Sequence, residues 1–311
     1  MFVNFSMNIT SQFPRESTSG AFNRQKSIFR KWISLDSTYK PEKERYHLYL
    51  SYASPWAHRT LIVIVLKNLE SVISASFVHP VRDGKGWRFE TNNTQYIDEI
   101  NGFSYLMEAY KIMDSQYDMR VTVPVLWDKQ TEQIVNNESS DIIIMLNNEF
   151  NQFTKSKLDL YPEEMRTEID KINQYIYTNI NNGVYKCGFA TSQKVYDSEV
   201  NNLFTALNKI ELRLKDRRYL VGDSITLSDI RLFVTLIRFD AVYFNHFKTN
   251  HKHIYEYKNL WSFVKLIYNH DKIRYTVKFN EIKDHYFKTH PSINPSGIVP
   301  VGPNIEELLS N

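Results

Sequence analysis

The chain has 311 residues, of which 42% are hydrophobic and 14% aromatic, enough for one large or two ordinary soluble domains. Its net charge is +3 with acidic and basic residues interspersed, which argues against a nucleic-acid surface or a polybasic membrane anchor. No signal-peptide core or membrane-length apolar stretch occurs, and the single cysteine, Cys187, excludes an internal disulfide, so we expect a cytoplasmic protein.

The first part of the chain reads as an extension followed by a strand–helix–strand unit. Residues 1–40 are polar and are predicted to be irregular or packed on the body; the glycosylation sequon at Asn8 is interpreted as chance. Residues 46–51 are predicted as a strand and 55–67 as a helix, with a proline well placed in its first turn. The β-branched run 72–78 is predicted as a second strand.

The next segment is less regular. Residues 79–120 are predicted to be an insertion, and 121–128 a strand despite Pro124. A brief strand over 133–135 follows, and capping residues then open an amphipathic helix within 136–150.

Beyond residue 151 only helices are predicted. They are placed at 161–181, 195–214 and 259–270, with a further helix after the Gly222-Asp223 turn and an extended tail over 289–303. Thr226 and Asp229 stand three residues apart at the start of the helix after the turn, a spacing typical of a capping box. Their predicted role is in folding, not chemistry.

The order of elements predicts an α/β plus all-α fold. A βαβ unit, an insertion and a ββα unit are typical of a thioredoxin-like domain, here over residues 41–150. The helices after it indicate an all-helical domain over 151–311. Together they resemble the architecture of a glutathione transferase. No phosphate-binding glycine loop or metal-ligand spacing occurs, so no nucleotide or metal is expected.

Several motifs in order resemble the Xi class of glutathione transferases, the glutathionyl-hydroquinone reductases, over residues 20–303. They read SPWAHRT, HPVRDGKGWRF, VPVLWDKQTEQIVNNESSDII, INNGVYKCGFA, RYLVGDSITLSDIRLFVTLIRFD and HPSINPSGIVPVGP. The resemblance implies a homodimer that uses glutathione as co-substrate and acts on small aromatic, quinone-derived molecules.

One departure is central: Ser54 stands where this family has its nucleophilic cysteine. A serine hydroxyl is barely ionised at neutral pH and forms no disulfide, so we expect glutathione binding with impaired reductase chemistry. Two other interpretations stay open. Ser54 could activate bound glutathione for conjugation to electrophiles, or the protein could bind glutathione without catalysis. Cys187 is interpreted as a packed residue, not a substitute nucleophile.

The resemblance also implies which residues bind glutathione. A cis Val123–Pro124 bond presents Val123 to the cysteinyl part. Glu138 and Ser139 bind the γ-glutamyl part, with ordinary helix capping by Ser139 or Ser140 as the alternative. Trp87 and Arg120 cover the glycyl end, a core tryptophan and a surface arginine being the alternatives.

On the aromatic side, the resemblance implies that Tyr185 and Tyr286 act as catalytic phenols. They would donate hydrogen bonds to the hydroquinone oxygen as the aryl–sulfur bond breaks. Tyr243 is predicted to line the same substrate pocket.

Overall fold

The computed structural model describes residues 11–310, so the sequon at Asn8 lies outside the described residues. The described part of the N-terminal extension, residues 11–40, packs on the body, one of the two predicted possibilities. Its strands β1 (Ser17–Thr18) and β2 (Ala21–Phe22) form a small antiparallel sheet. Further along, Ile33 is fully buried.

The core sheet has four strands, and their order brings distant segments together. The strands are β3 (Tyr46–Leu50), β4 (Ser74–Phe77), β5 (Val125–Asp128) and β6 (Gln133–Asn136). The spatial order is β4-β3-β5-β6, with β3 parallel to β4 and antiparallel to β5, and β5 antiparallel to β6. All five residues of β3 are buried, as expected of a central strand.

Three helices accompany this sheet: α1 (Pro55–Lys67), α2 (Met107–Met113) and α3 (Ser139–Asn148). The helices α1 and α3 pack against each other, and α2 packs against β6. The less regular segment 79–120 contains the helix α2, which was not predicted. One strand prediction was wrong in its starting residue. The strand predicted over 121–128 begins only at Val125, because Pro124 has no N–H to donate to a ladder.

From residue 151 to residue 310 the structure contains helices and turns without a strand. The helices are α4 (Arg166–Ile176), α5 (Gly183–Gly188), α6 (Gln193–Arg213), α7 (Leu227–Arg238), α8 (Phe244–His246), α9 (Lys258–Tyr268), α10 (Phe279–Thr289) and α11 (Ile305–Ser310). Of these helices, α5, α8, α10 and α11 were not predicted. None of the helices among residues 11–310 is long and apolar enough to cross a membrane.

Two π-helical segments interrupt the helical half. The helix predicted over 161–181 begins at Arg166 and widens into a π-helix at Tyr177–Asn181, and α7 is followed by a second π-helix at Phe239–Tyr243. Such segments rotate the side chains that follow them out of the α-helical register. Tyr177 lines the cavity described below, whereas Tyr243 is fully buried.

The predicted capping box at Thr226 and Asp229 is confirmed. Asp229 is fully buried and accepts three hydrogen bonds: from the backbone N–H of Leu220 at 2.8 Å, and from the N–H and hydroxyl of Thr226 at 2.7 and 2.9 Å. It therefore joins the turn before α7 to the first turn of that helix.

We expect Asp229→Ala to lower the free energy of unfolding by about 3 kcal/mol, since two buried N–H groups lose their acceptor. Thr226→Ala should cost only about 1 kcal/mol, the usual effect of a lost cap. Urea unfolding followed by circular dichroism checks both values. Equal losses in the two variants would contradict the bridging role of Asp229.

Candidate active site

Ser54 is the N-cap of α1 and lines a cavity. Its Oγ accepts a hydrogen bond from the backbone N–H of Ala57 at 3.3 Å, and its carbonyl accepts one from the N–H of His58 at 3.0 Å. Pro55 occupies the first helical position, and only 7% of Ser54 is exposed. An anionic atom at this position would face the partial positive charge of the helix N-terminus.

A buried arginine fixes the loop that leads into α1. Arg238 donates from Nη2 to the carbonyl of Tyr52 at 2.8 Å and from Nε to that of Ala53 at 3.0 Å. Its Nη1 contacts the Val234 carbonyl at 2.8 Å and His58 Nδ1 at 3.0 Å. Burial and the Arg238 charge hold the pKa of His58 well below its usual value, so the neutral imidazole accepts this bond.

The Val123–Pro124 bond is cis, as the resemblance implies, and both residues line the same cavity as Ser54. The sheet explains why they meet. Val125, the first residue of β5, pairs with Tyr49 near the end of β3 in antiparallel register. The residue before β5 and the loop after β3 therefore lie at the same end of the sheet.

The start of α3 forms another wall of the cavity. Glu138 is the N-cap, and its carboxylate accepts hydrogen bonds from the N–H and hydroxyl of Ser140 at 3.0 and 2.8 Å, and from the Ser27 hydroxyl at 3.0 Å. Ser139 follows, and its Oγ accepts a 3.4 Å bond from Arg59. Capping, the alternative role for this motif, is thus performed by Glu138, not by Ser139 or Ser140.

Arg120 lines the cavity, but its guanidinium already has a partner. Its Nε and Nη2 contact the two carboxylate oxygens of Glu16 at 2.6 and 3.0 Å, and Phe13 lies beneath it, 4.7 Å from ring centroid to guanidinium carbon. Gln25 holds its backbone at both N–H and carbonyl. The N-terminal extension therefore supplies a carboxylate partner for Arg120, which the sequence did not predict.

Trp87 lies in the wall against a histidine that the sequence did not single out. The indole is buried and stacks on His285, with ring centroids 5.0 Å apart and planes inclined by 13°. His285 Nδ1 donates to the carbonyl of Pro80 at 2.7 Å. Burial, aided by nearby cations, lowers the pKa of His285 to about 3, so the ring is neutral and Nε2 is an acceptor.

Three tyrosine hydroxyls form a chain. Those of Tyr185 and Tyr286 are 2.6 Å apart, and those of Tyr286 and Tyr243 are 2.9 Å apart. Burial raises the pKa of Tyr286 and Tyr243 well above its usual value, so both phenols keep their protons. The structure places Tyr243 in the core behind Tyr286, on a π-helical segment and outside the cavity wall.

The cavity has a volume of about 380 Å³, within the range of small-molecule sites. Apart from Tyr243, it brings together every predicted site residue: Ser54, Trp87, Arg120, Val123, Pro124, Glu138, Ser139, Tyr185 and Tyr286. Residues separated by up to about 230 positions in the chain therefore share one surface.

Sequence reasoning missed wall residues from the extension and from α10. Arg24 lies between Trp56 and Tyr185, 4.6 Å from each ring centroid, and its Nε donates to Asn182 at 2.6 Å. Phe13 and His290 also line the cavity. The extension shows no periodic pattern that would indicate these contacts. His285, in contrast, directly precedes Tyr286 in the sequence and could have been considered together with it.

The single cysteine lies in the core, and the described residues offer no metal site. Cys187 is buried away from the cavity wall, and burial raises the pKa of its thiol to about 12, in agreement with a packed residue. Among residues 11–310 no group of three His, Cys, Asp or Glu side chains is arranged to hold a metal ion.

Comparisons with known proteins identify the family of the chain. Residues 53–149 match the model of the glutathione S-transferase N-terminal domain, and residues 193–265 that of the C-terminal domain. The glutathionyl-hydroquinone reductase YqjG of Escherichia coli is 45% identical, over 94% of this chain and 92% of the relative.

Two solved structures extend the likeness. The glutathione-S-transferase Xi from Phanerochaete chrysosporium has a TM-score of 0.88 and 46% identity, over 91% of this chain and 98% of that one. The glutathione-bound structure of YqjG has a TM-score of 0.86 and 45% identity, over 89% and 92% of the two chains. The chain therefore belongs to the glutathione transferases, in the Xi class that includes the glutathionyl-hydroquinone reductases.

Proposed function

We propose that this protein is a cytoplasmic, homodimeric glutathione-dependent enzyme of the glutathionyl-hydroquinone reductase type, with its reductase chemistry impaired by Ser54. The observation that carries the proposal is the single cavity that holds Ser54, the Val123–Pro124 loop, the start of α3 and the Tyr185–Tyr286 pair. Relatives named as glutathionyl-hydroquinone reductases, and a relative's structure named as glutathione-bound, support it.

Glutathione has a candidate partner for each of its parts. The N–H of Ser139, the first-turn N–H of α3 that Glu138 does not accept, suits the γ-glutamyl carboxylate, and Glu138 suits the adjacent ammonium. The backbone of Val123 suits the cysteinyl residue, which would direct its sulfur to Ser54. Trp87 and Arg120 are left for the glycyl end, where Arg120 must either share Glu16 or exchange it for the ligand.

Glutathione binding can be tested at Glu138. We expect Glu138→Gln to weaken glutathione binding about tenfold in calorimetry, because a charged hydrogen bond to the ammonium becomes a neutral one while the amide oxygen still caps α3. Glutaryl-cysteinylglycine, which lacks the ammonium, should bind both proteins equally. A tenfold loss for that ligand as well would mean that the substitution distorted the site.

The family's reaction shows what Ser54 cannot do. A thiolate at position 54 attacks the sulfur of the glutathionyl-hydroquinone thioether, and the aryl–sulfur bond breaks. Its electron pair goes to the aryl carbon, which takes a proton, while a mixed disulfide forms with glutathione. A second glutathione thiolate then releases glutathione disulfide and regenerates the enzyme thiolate. An oxygen nucleophile has no equivalent of the disulfide step.

One observation favours conjugation as a second candidate function. The Ser54 hydroxyl accepts its hydrogen bond from Ala57, so its own proton is available to donate to a glutathione thiolate. Stabilising that thiolate would assist its attack on an electrophile.

This candidate predicts that Ser54→Ala lowers the rate of glutathione conjugation to 1-chloro-2,4-dinitrobenzene at least about tenfold, because the thiolate loses a hydrogen bond that contributes about that factor. The apparent pKa of bound glutathione, read from the thiolate absorbance, should rise in the same variant. Equal conjugation rates in the unmodified protein and in the Ser54→Ala variant would count against conjugation.

A further inference from the structure

Arg82 lies in the cavity wall without an anionic partner. Among residues 11–310 it forms no ion pair, and its buried Nε has no hydrogen-bond partner. Residues 1–10 contain no Asp or Glu that could supply one. Its neighbour Asp83 is engaged elsewhere, by the Tyr105 hydroxyl and the N–H of Lys85. Arg120, by contrast, is neutralised by Glu16.

The neighbours of Arg82 place it on the aromatic side of the cavity. Its guanidinium carbon lies 5.2 Å from the ring centroid of Trp87 and 5.7 Å from that of Phe13. Trp87 stacks on His285, which directly precedes Tyr286. Tyr185 and Tyr286 line the same cavity as Arg82.

No carboxylate of the described residues contacts Arg82: Glu16 acts on its pKa only from a distance, and both oxygens of Glu16 are already bonded to Arg120. Burial lowers the pKa of Arg82 to about 10, so the guanidinium is still protonated at neutral pH. Burial also holds the pKa of His285 and His290 well below its usual value, and both rings are neutral. A neutral aromatic ligand that expelled water from this wall would leave a cation without a partner, which is costly.

We propose that Arg82 binds an acidic substituent, a carboxylate or sulfonate, on the aromatic part of the glutathione conjugate. This inference rests on the proposed function, since glutathione must anchor the conjugate in the cavity. The planar guanidinium fork matches a carboxylate with two parallel hydrogen bonds, and the indole face of Trp87 holds the fork in place. The preferred substrates would then be conjugates of aromatic acids.

The test compares three ligands by calorimetry: S-benzylglutathione, S-(4-carboxybenzyl)glutathione and the neutral S-(4-carbamoylbenzyl)glutathione, with the 3-substituted isomers measured alongside. The unmodified protein should bind one carboxybenzyl isomer about tenfold more tightly than the benzyl and carbamoyl ligands. Arg82→Met should abolish this preference while leaving the affinity for glutathione within about twofold. Arg82→Gln supplies the same comparison if the methionine variant folds poorly by circular dichroism.

The matched control is Arg88→Met, in the same segment. Arg88 is held by Glu90 at 3.2 Å and does not line the cavity, so this variant should keep the preference. Equal affinity of the unmodified protein for every ligand would overturn the proposal. The proposal would also be overturned if Arg82→Met lost affinity for glutathione and for every conjugate by the same factor, since Arg82 would then bind the glycyl carboxylate. Failure of the unmodified protein to bind glutathione or S-benzylglutathione would overturn both this inference and the proposed function.

Discussion

Ser54→Cys is expected to turn a poor reductase into an efficient one, raising kcat/KM for glutathionyl-menadione at least about a hundredfold, some 3 kcal/mol of barrier. The substituted sulfur would lie at the N-terminus of α1, where the helix dipole and free N–H groups lower a thiol pKa. No other part of the site needs to change, because the cavity already holds the Val123–Pro124 loop and both phenols. Release of menadiol with excess glutathione is the measurement.

Two further measurements make this result specific. Mass spectrometry of Ser54→Cys with one equivalent of substrate should show a glutathione adduct that dithiothreitol removes, and Ser54→Ala should show none. In the double variant Ser54→Cys/Tyr286→Phe the adduct should form more slowly, since one phenol no longer supports the hydroquinone oxygen. If Ser54→Cys shows neither turnover nor adduct while still binding glutathione, the reductase proposal fails. If the unmodified protein also shows no conjugation, it is a non-catalytic glutathione-binding protein.

Arg238→Met should destabilise the protein by about 3 to 5 kcal/mol, because it leaves buried polar groups without their partner. The guanidinium serves the carbonyls of Tyr52, Ala53 and Val234 as well as His58 Nδ1. Ala53, Val234 and His58 are all buried, so water cannot replace the lost donor there. Urea unfolding gives the loss in free energy. Glutathione binding should weaken too, because the loop before Ser54 loses its anchor.

Arg217→Met is the matched control for this substitution. Arg217 is exposed, and its contact with Glu168 is 4.0 Å long, so its loss should change the free energy of unfolding by less than about 0.5 kcal/mol. If Arg238→Met also changed stability by less than about 1 kcal/mol, the loop before α1 would be held by its own backbone bonds and Arg238 would have no anchoring role.

Much of the fold could be predicted from local signals. The helix at Pro55–Lys67 follows from an apolar run with proline in its first turn, and the box at Thr226 and Asp229 from two residue types at one spacing. The helices that were not predicted also have a physical explanation. The short helix Met107–Met113 has too few turns to show a helical period. The buried face of α10 includes the polar residues His285 and Thr289, so its sequence does not show a purely apolar stripe.

For the site, the sequence by itself determined which residues could do the chemistry, through motifs that resemble a family and through the oxygen of Ser54 in place of a sulfur. Only the tertiary structure decided how they are connected. It pairs Arg120 with Glu16 and places Tyr243 in the core, outside the cavity wall. It also leaves Arg82 in the wall without an ion-pair partner among the residues that it describes. Motifs report residue identity at short spacing, whereas ion pairing and burial depend on side chains that approach across a hundred residues or more, which no local pattern encodes.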